Sequence, residues 1–255
     1  MLPVLLGFST LYAAPVPVRF VEGSAHGFLV LRSMDGDTLG QGELLQVPGD
    51  GEIETRLVFH FKDGSLYDET VVFSQRKVFA LRRYRLVQRG PSFPTTLDAS
   101  LDRATERYKV TYKKEDDHAQ EILEDSLDLP ADVYNGMQAQ LLKNLPKGAT
   151  ETVHFVAFTP KPQLIELTLA PAGEDSFLLG ETKKKAHRYA LKPQLGPVIG
   201  FFASLVGKDP PDFFYWLLDG EAPGFLAFEG PLYVEGPIWR IELTSPRWPK
   251  SGREP

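Results

Sequence analysis

Cysteine is absent from the 255 residues of this sequence. The chain therefore has no disulfide, no thiolate metal ligand, no cysteine nucleophile and no cysteine that could carry a lipid anchor. A basic excess is also lacking, because the formal net charge is -6 at pH 7. Proteins that bind nucleic acid or anionic membranes in general carry such an excess, so we expect no nucleic-acid partner.

Long apolar runs are scarce as well. After residue 14 no segment reaches the ~20 uninterrupted apolar residues of a membrane-spanning helix, which predicts no transmembrane anchor in the mature chain. Residues 1–14 are apolar and end in small residues, a pattern typical of a secretory signal peptide. A positively charged leading segment is missing, so a buried first strand is the alternative interpretation. A signal peptide predicts export, and we expect a periplasmic location.

The clearest periodic pattern is the alternation of apolar and polar side chains from Ile53 to Phe61, which predicts a strand with one buried face. It is flanked by Gly49-Asp50-Gly51 and Asp63-Gly64-Ser65, both of which favour tight turns between antiparallel strands. The same reasoning predicts strands at Gly27–Ser33, Leu39–Val47, Leu66–Gln75, Val78–Gln88, Arg107–Lys113, Thr152–Thr159, Gln163–Ala170, Ala186–Lys192, Leu232–Val234 and Ile238–Thr244.

One segment changes period. Tyr134, Met137, Leu141 and Leu145 are spaced for one face of a helix, which we predict at Pro130–Leu145. Strands, one helix and further strands predict a mainly β domain over residues 18–246, followed by a flexible tail at 247–255. The expected architecture is a single curved antiparallel sheet or half-open β-barrel that wraps one or two helices, because the apolar face of a sheet must be buried. A β-sandwich is the alternative.

Several segments resemble those of uncharacterised exported bacterial proteins, a family with a domain of unknown function. They are Lys62–Thr70, Gln88–Pro94, Gly207–Asp212, Gly220–Pro223, Glu229–Tyr233 and Gly236–Leu243. More distantly, and in architecture alone, the chain resembles the LolA and LolB lipoprotein carriers, whose incomplete barrel holds acyl chains. The resemblance implies lipid binding without a catalytic residue. The absence of cysteine departs from the LolB-like proteins, which are themselves lipid anchored.

The apolar segments after Leu195 are candidates for a hydrophobic ligand site. The side chains we expect at such a site are Val198, Phe201, Phe202, Leu205, Phe213, Tyr215, Trp216 and Phe225. Ordinary core packing is the alternative and the safer interpretation, because most large apolar residues are simply buried. A pocket requires open volume between these side chains, and a sequence does not specify volume.

A basic run without any acidic residue lies between Thr70 and Leu97. It contains Arg76, Lys77, Arg82, Arg83, Arg85 and Arg89. Arginine clusters bind phosphate and other anions, so Arg82, Arg83 and Arg85 are candidate anion contacts. The favoured alternative is a solvated strand face opposite the acidic residues of the segment 115–125.

Motifs for metal or nucleophilic chemistry are not found. The five histidines are scattered, at positions His26, His60, His118, His154 and His187. None has the short spacing of a helical metal site, so we expect no metal and no other cofactor. We expect His60 to be a surface residue, since it belongs to the polar face of its strand.

Three hypotheses for function remain. The first is a non-enzymatic periplasmic module that binds or carries a lipid or other hydrophobic or amphipathic ligand. The second is a structural protein of the cell envelope that interacts with another envelope protein, and the third is an enzyme acting on an envelope substrate. An apolar concavity favours the first, a filled interior the second, and convergent polar groups in a cleft the third.

Overall fold

The computed structural model describes residues 15–114, 119–158, 161–179, 182–194, 212–220 and 223–244. Within these ranges the chain forms fourteen strands and one helix. They are β1 (Ala25–Ser33), β2 (Thr38–Gly49), β3 (Glu52–Phe61), β4 (Leu66–Gln75), β5 (Phe79–Arg89), β6 (Thr95–Asp102), β7 (Arg107–Lys114), β8 (Glu121–Ser126), α1 (Gln138–Asn144), β9 (Glu151–Phe158), β10 (Pro162–Leu179), β11 (Thr182–Gln194), β12 (Phe213–Leu218), β13 (Gly224–Gly230) and β14 (Trp239–Leu243).

The described strands form one antiparallel sheet. Their order is β8-β7-β6-β5-β4-β3-β2-β1-β14-β13-β12-β11-β10-β9. The first and last described strands therefore pair in the middle of the sheet, with Leu29 opposite Leu243. The two edge strands, β8 and β9, are not paired with each other in the described part of the chain, so the sheet is not closed into a barrel. The predicted fold class is confirmed, and the sandwich alternative is not observed.

The sheet curves so that its apolar face becomes an interior. In β3 the side chains of Ile53, Phe59 and Phe61 are buried, whereas His60 is exposed as predicted. Ring contacts then join strands that are far apart in the sheet order. The clearest is between Tyr84 of β5 and Phe158 of the edge strand β9, whose rings stack with centroids 5.6 Å apart. Such a contact requires strong curvature.

One end of this interior is covered by the N-terminal segment and α1. The backbone N–H of Val16 donates to the Tyr134 hydroxyl at 2.9 Å, and Pro17 bridges to Val78 in the β4–β5 turn. The side-chain oxygen of Asn144 in α1 accepts from two backbone N–H groups, those of Arg19 at 2.6 Å and Phe20 at 2.7 Å. These contacts fix residues 15–20 across the end of the sheet.

The predicted helix is wrong in its first half. The observed α1 begins at Gln138, and Gly136 before it has a φ of 66°, in the left-handed region that does not continue a right-handed helix. Residues 132–135 instead run along the edge strand β9, with a turn on either side. Val133 forms a parallel bridge with His154, whose backbone N–H donates to the Asp132 carbonyl at 2.9 Å.

The amide of Asn135 extends this pairing in place of backbone groups. Its Nδ2 donates to the carbonyl of Val156 at 2.7 Å, and its Oδ1 accepts from the N–H of Val156 at 2.7 Å. The edge of β9 is thereby covered, which limits its exposure to pairing with another chain.

Other elements differ from the predicted ones. The strands β6, β8, β12 and β13 were not predicted, and residues 232–234, predicted as a strand, form part of the β13–β14 loop. The sequence of β12, Phe213–Leu218, is apolar at every position, so it has no alternation that indicates a strand. No helix in the described part of the chain is long and apolar enough to cross a membrane.

Candidate ligand cavity

A cavity of about 470 Å³ lies on the inner side of the curved sheet. Its walls come from inward-facing side chains of β1 to β5 and β9 to β14, and the remaining lining comes from the start of α1 and the loop 231–236. The volume lies in the range of about 300–1,000 Å³ typical of small-molecule sites.

Most of the cavity lining is apolar. Leu44 of β2, Leu57 of β3 and Phe155 of β9 all line it and are only half-buried, because part of each side chain faces the cavity. In a close-packed interior such side chains contact others on all sides. These three therefore offer apolar surface that a ligand could cover.

Residues 15–20 cover one end of the interior, and the loop 231–236 covers the opposite end. Gln88, at the far end of β5, donates from Nε2 to the carbonyl of Leu232 at 2.6 Å. Tyr233 and Trp239 pack with Phe61 and Phe93, with ring centroids 5.4 to 6.2 Å apart. The aromatic contacts fix the loop against the sheet.

Glu69 is the acidic side chain on the inward row of β4. Residues Tyr67, Glu69 and Val71 alternate along this row, and all three line the cavity. The hydroxyl of Tyr84 donates to Oε1 of Glu69 at 2.7 Å, and the hydroxyl of Tyr67 is also hydrogen-bonded to this carboxyl. Burial raises the pKa of Glu69 above its ordinary value, and the two tyrosine hydrogen bonds oppose that rise.

Tyrosine hydroxyls at this position remain protonated. Burial raises the pKa of Tyr67, Tyr84 and Tyr215 above the ordinary value, and the nearby carboxyl of Glu69 adds to the rise. The hydroxyls of Tyr67 and Tyr84 therefore act as hydrogen-bond donors to Glu69. The cluster of Glu69, Tyr67 and Tyr84 can therefore hold a proton and form hydrogen bonds with a ligand in the cavity.

Gly136 covers one side of the Glu69 carboxyl. A Cβ atom at this position would lie 2.3 Å from Cγ2 of Val71 and 3.2 Å from the carboxyl carbon of Glu69. Only glycine combines such close contact with a φ of 66°. The backbone thus excludes water from one side of Glu69, which contributes to its desolvation.

The lining carries no basic side chain among the described residues: neither lysine, arginine nor histidine contributes to it. Its acidic members are Glu69 and Glu235. Within the described ranges, no group of three or more histidine, aspartate or glutamate side chains could hold a metal ion.

The residues predicted to contact a ligand are divided by the structure. Phe213 and Tyr215 of β12 and Phe225 of β13 line the cavity. Trp216 does not, because it lies on the opposite face of β12, where its Nε1 donates to Oδ2 of Asp175 at 2.8 Å. The other predicted contacts lie outside the described residues; they are Val198, Phe201, Phe202 and Leu205. Ligand contact by the three lining residues stays a prediction.

The predicted anion contacts lie outside the cavity, on the outer face of β5. Arg82, Arg83 and Arg85 are all exposed. Arg82 and Arg83 are neighbours, yet both face outward. The register shifts between Val72 and Phe73 of β4, which leaves Arg82 as the extra residue of a β-bulge in β5.

Carboxylates already contact two of these arginines. Arg85 donates two hydrogen bonds to Asp98 of β6, at 3.0 and 2.8 Å, and Arg82 lies 3.7 Å from Glu52 of β3. These two carboxylates come from β6 and β3. Of the acidic residues predicted to face the arginines, Glu121, Glu124 and Asp125 lie in β8, and residues 115–117 lie outside the described part of the chain. Anion binding stays a prediction.

The sequence analysis missed Glu69, Tyr67 and Tyr84. The strand that carries Glu69 was predicted, and its alternation places Tyr67, Glu69, Val71 and Phe73 on one face. A carboxyl within an otherwise apolar row is an unusual feature, and it could have been found from that pattern.

Comparisons with known proteins add little to this description. No protein-family profile and no curated protein sequence matches the chain. A similar solved structure is the beta-barrel-like protein of the domain of unknown function DUF1849 from Brucella abortus. It is 8% identical, the match covers 91% of this chain and 98% of that chain, and the TM-score is 0.43. The mainly β fold of this chain rests on its own strands.

Proposed function

We propose that this protein is a non-enzymatic binding or carrier module for a hydrophobic or amphipathic ligand, which it holds in the cavity. The observation that supports the proposal is the cavity itself, about 470 Å³ in volume and lined mostly by apolar side chains. A few polar groups in an apolar cavity are the usual composition of a small-molecule site, and here they are grouped around Glu69.

The unfilled volume of the cavity favours a ligand-binding role over a purely structural one. Interiors pack closely, and unfilled volume lowers stability because the lining side chains lose contacts. A ligand that covers Leu44, Leu57 and Phe155 would restore those contacts. Such a ligand would raise the free energy of unfolding by RT ln(1 + c/Kd), where c is its free concentration, that is, with the logarithm of its concentration once this exceeds the Kd.

The proposal includes export to the periplasm, where a carrier would meet lipids between two membranes. Its support is the apolar segment 1–14 with small residues at its end. Fractionation of bacteria that produce the full chain, followed by N-terminal sequencing, tests it. We expect a periplasmic product that begins at Pro15. A cytoplasmic product that retains Met1 would contradict export.

Titration with the neutral fluorescent probe N-phenylnaphthylamine tests ligand binding. We expect saturable binding of one probe per chain. Leu44→Trp adds a large ring inside the cavity and should abolish binding, whereas Leu45→Trp is the matched control because Leu45 is exposed on the outer face. The carrier proposal fails if the wild type does not bind the probe, or if both variants bind it equally well.

A further inference from the structure

Glu69 is poorly suited to a purely structural role. Its partners in the neighbouring strands are Leu57 of β3 and Leu86 of β5, and both are apolar residues of the cavity lining. Burying a carboxyl among such neighbours lowers stability unless it gains compensating interactions. The hydrogen bonds from Tyr84 and Tyr67 compensate only in part, since the pKa of Glu69 remains raised.

Three tyrosines of the cavity lining lie close to this carboxyl. Tyr67, Tyr84 and Tyr215 all interact with Glu69, through hydrogen bonds or through charge. Phe158 stacks on Tyr84 with centroids 5.6 Å apart, and Phe228 packs on Tyr215 at 4.7 Å. The negative faces of aromatic rings attract an ammonium group, and most strongly where water is excluded.

The composition of the cavity lining does not favour an anionic ligand. Its described lining contains acidic side chains but no lysine, arginine or histidine, so a carboxylate or phosphate head group would meet no cationic side chain among these residues. The hydroxyls of Tyr67 and Tyr84 are donors, but they already donate to Glu69. An anionic ligand would have to displace the hydrogen bonds of these tyrosines to Glu69, and its negative charge would then lie beside the Glu69 carboxyl.

We propose that the cavity selects amphiphiles with a protonated amino group, which places its ammonium against Glu69 and the surrounding tyrosines while its alkyl chain lies along Leu44 and Leu57. This inference rests on the proposed ligand-binding function and names the ligand class of the same site. The ammonium would donate to the carboxyl oxygens that face the cavity, so that a carboxylate and a cation compensate each other where water is scarce.

Competition among three amphiphiles of equal chain length tests the inference. Decylamine, decanol and decanoate are each titrated, below the concentrations at which they aggregate, against chain loaded with N-phenylnaphthylamine at neutral pH. We expect decylamine to displace the probe at a concentration at least about tenfold lower than decanol. Decanoate should be the weakest competitor of the three.

Two variants assign the selectivity to one side chain. Glu69→Gln keeps the shape of the side chain and removes its charge, so decylamine should lose its advantage over decanol. Asp68→Asn is the matched control, because Asp68 is the preceding residue of β4 and pairs with Arg56 on the outer face. This control should retain the order of the wild type.

The two proposals fail in different ways. If the wild type binds the probe but decylamine has no advantage over decanol, or if Glu69→Gln keeps the advantage, the ammonium site is refuted and the carrier function stands. If no probe and no competitor binds the wild type, both proposals are refuted. The order of the three competitors on the wild type needs no variant, so misfolding of Glu69→Gln would leave the inference testable.

Discussion

At the scale of single residues, Glu69 is the side chain that departs most from its surroundings. Its strand is otherwise apolar on the inner face, and Gly136 covers the carboxyl from one side. Burial raises its pKa, so the folded state binds a proton more tightly than the unfolded state does. Stability must then decrease as pH rises from the ordinary carboxyl pKa to the raised folded value.

The first prediction concerns this pH dependence. Glu69→Gln removes the cost of an ionised carboxyl inside the protein, so the variant should be more stable than the wild type at pH 7. The difference should shrink as pH falls through the raised folded pKa and level off below the ordinary pKa, where the wild-type carboxyl is protonated in both states. Urea unfolding at several pH values measures it, with Asp68→Asn as the control. A difference that does not change with pH would show that the titration of Glu69 has no such effect.

Asn135 is the second residue with a specific role, since both atoms of its amide bind the backbone of Val156. Asn135→Ala would leave a buried N–H and a buried carbonyl without partners, and each such loss costs about 1–3 kcal/mol. We expect the free energy of unfolding to fall by about 2–4 kcal/mol in urea titrations. Gln41→Ala, which removes an exposed amide, should change it little; equal effects of the two variants would contradict the assigned role.

At the scale of elements, the reliability of sequence patterns follows from burial. β3 was predicted because one of its faces is buried and the other is exposed, which produces alternation. β12 is apolar at every position, so it shows no alternation and was not predicted as a strand. The start of the helix was predicted too early because Asn135 and Gly136 favour another local structure, and helical spacing alone does not reveal this competition.

Alanine substitutions at Gly136 and Gly148 distinguish the cost of a left-handed backbone from the cost of a steric clash between a Cβ atom and Val71. Gly136→Ala combines a left-handed φ with a Cβ only 2.3 Å from Val71. Gly148→Ala has a similar φ, 79°, but no atom lies within 4 Å of its Cβ. Thermal unfolding should show a small loss for Gly148→Ala, of about 1 kcal/mol, and a clearly larger one for Gly136→Ala. Equal losses would mean that residue 136 does not pack against Val71.

At the scale of the whole molecule, the order of the strands explains what sequence reasoning could not reach. Local hairpins were predictable from turn residues, whereas the pairing of β1 with β14 joins the two ends of the sheet-forming chain and has no local pattern. The cavity depends on this pairing of β1 with β14 and on the positions of α1 and the loop 231–236. Three of the predicted contact residues, Phe213, Tyr215 and Phe225, line it, yet its volume follows only from the assembled sheet.

The covered end of the interior gives a prediction at this scale. Residues 15–20 contribute the buried side chain of Val16 and hydrogen bonds to Tyr134, Phe79 and Asn144. A chain that starts at Val21 should therefore unfold at a lower urea concentration than one that starts at Pro15. Equal transition midpoints for the two chains would show that the segment does not contribute to the folded core.

The location of a bound amphiphile tests the central claim, that the curved sheet encloses space for a ligand. A crystal structure of the chain grown with ω-bromodecanol would reveal the bromine by its anomalous scattering. We expect one bromine inside the cavity, against the inward side chains of Leu44 and Leu57. Bromine bound only to the outer face of the sheet, or an interior filled by the chain's own side chains, would contradict it.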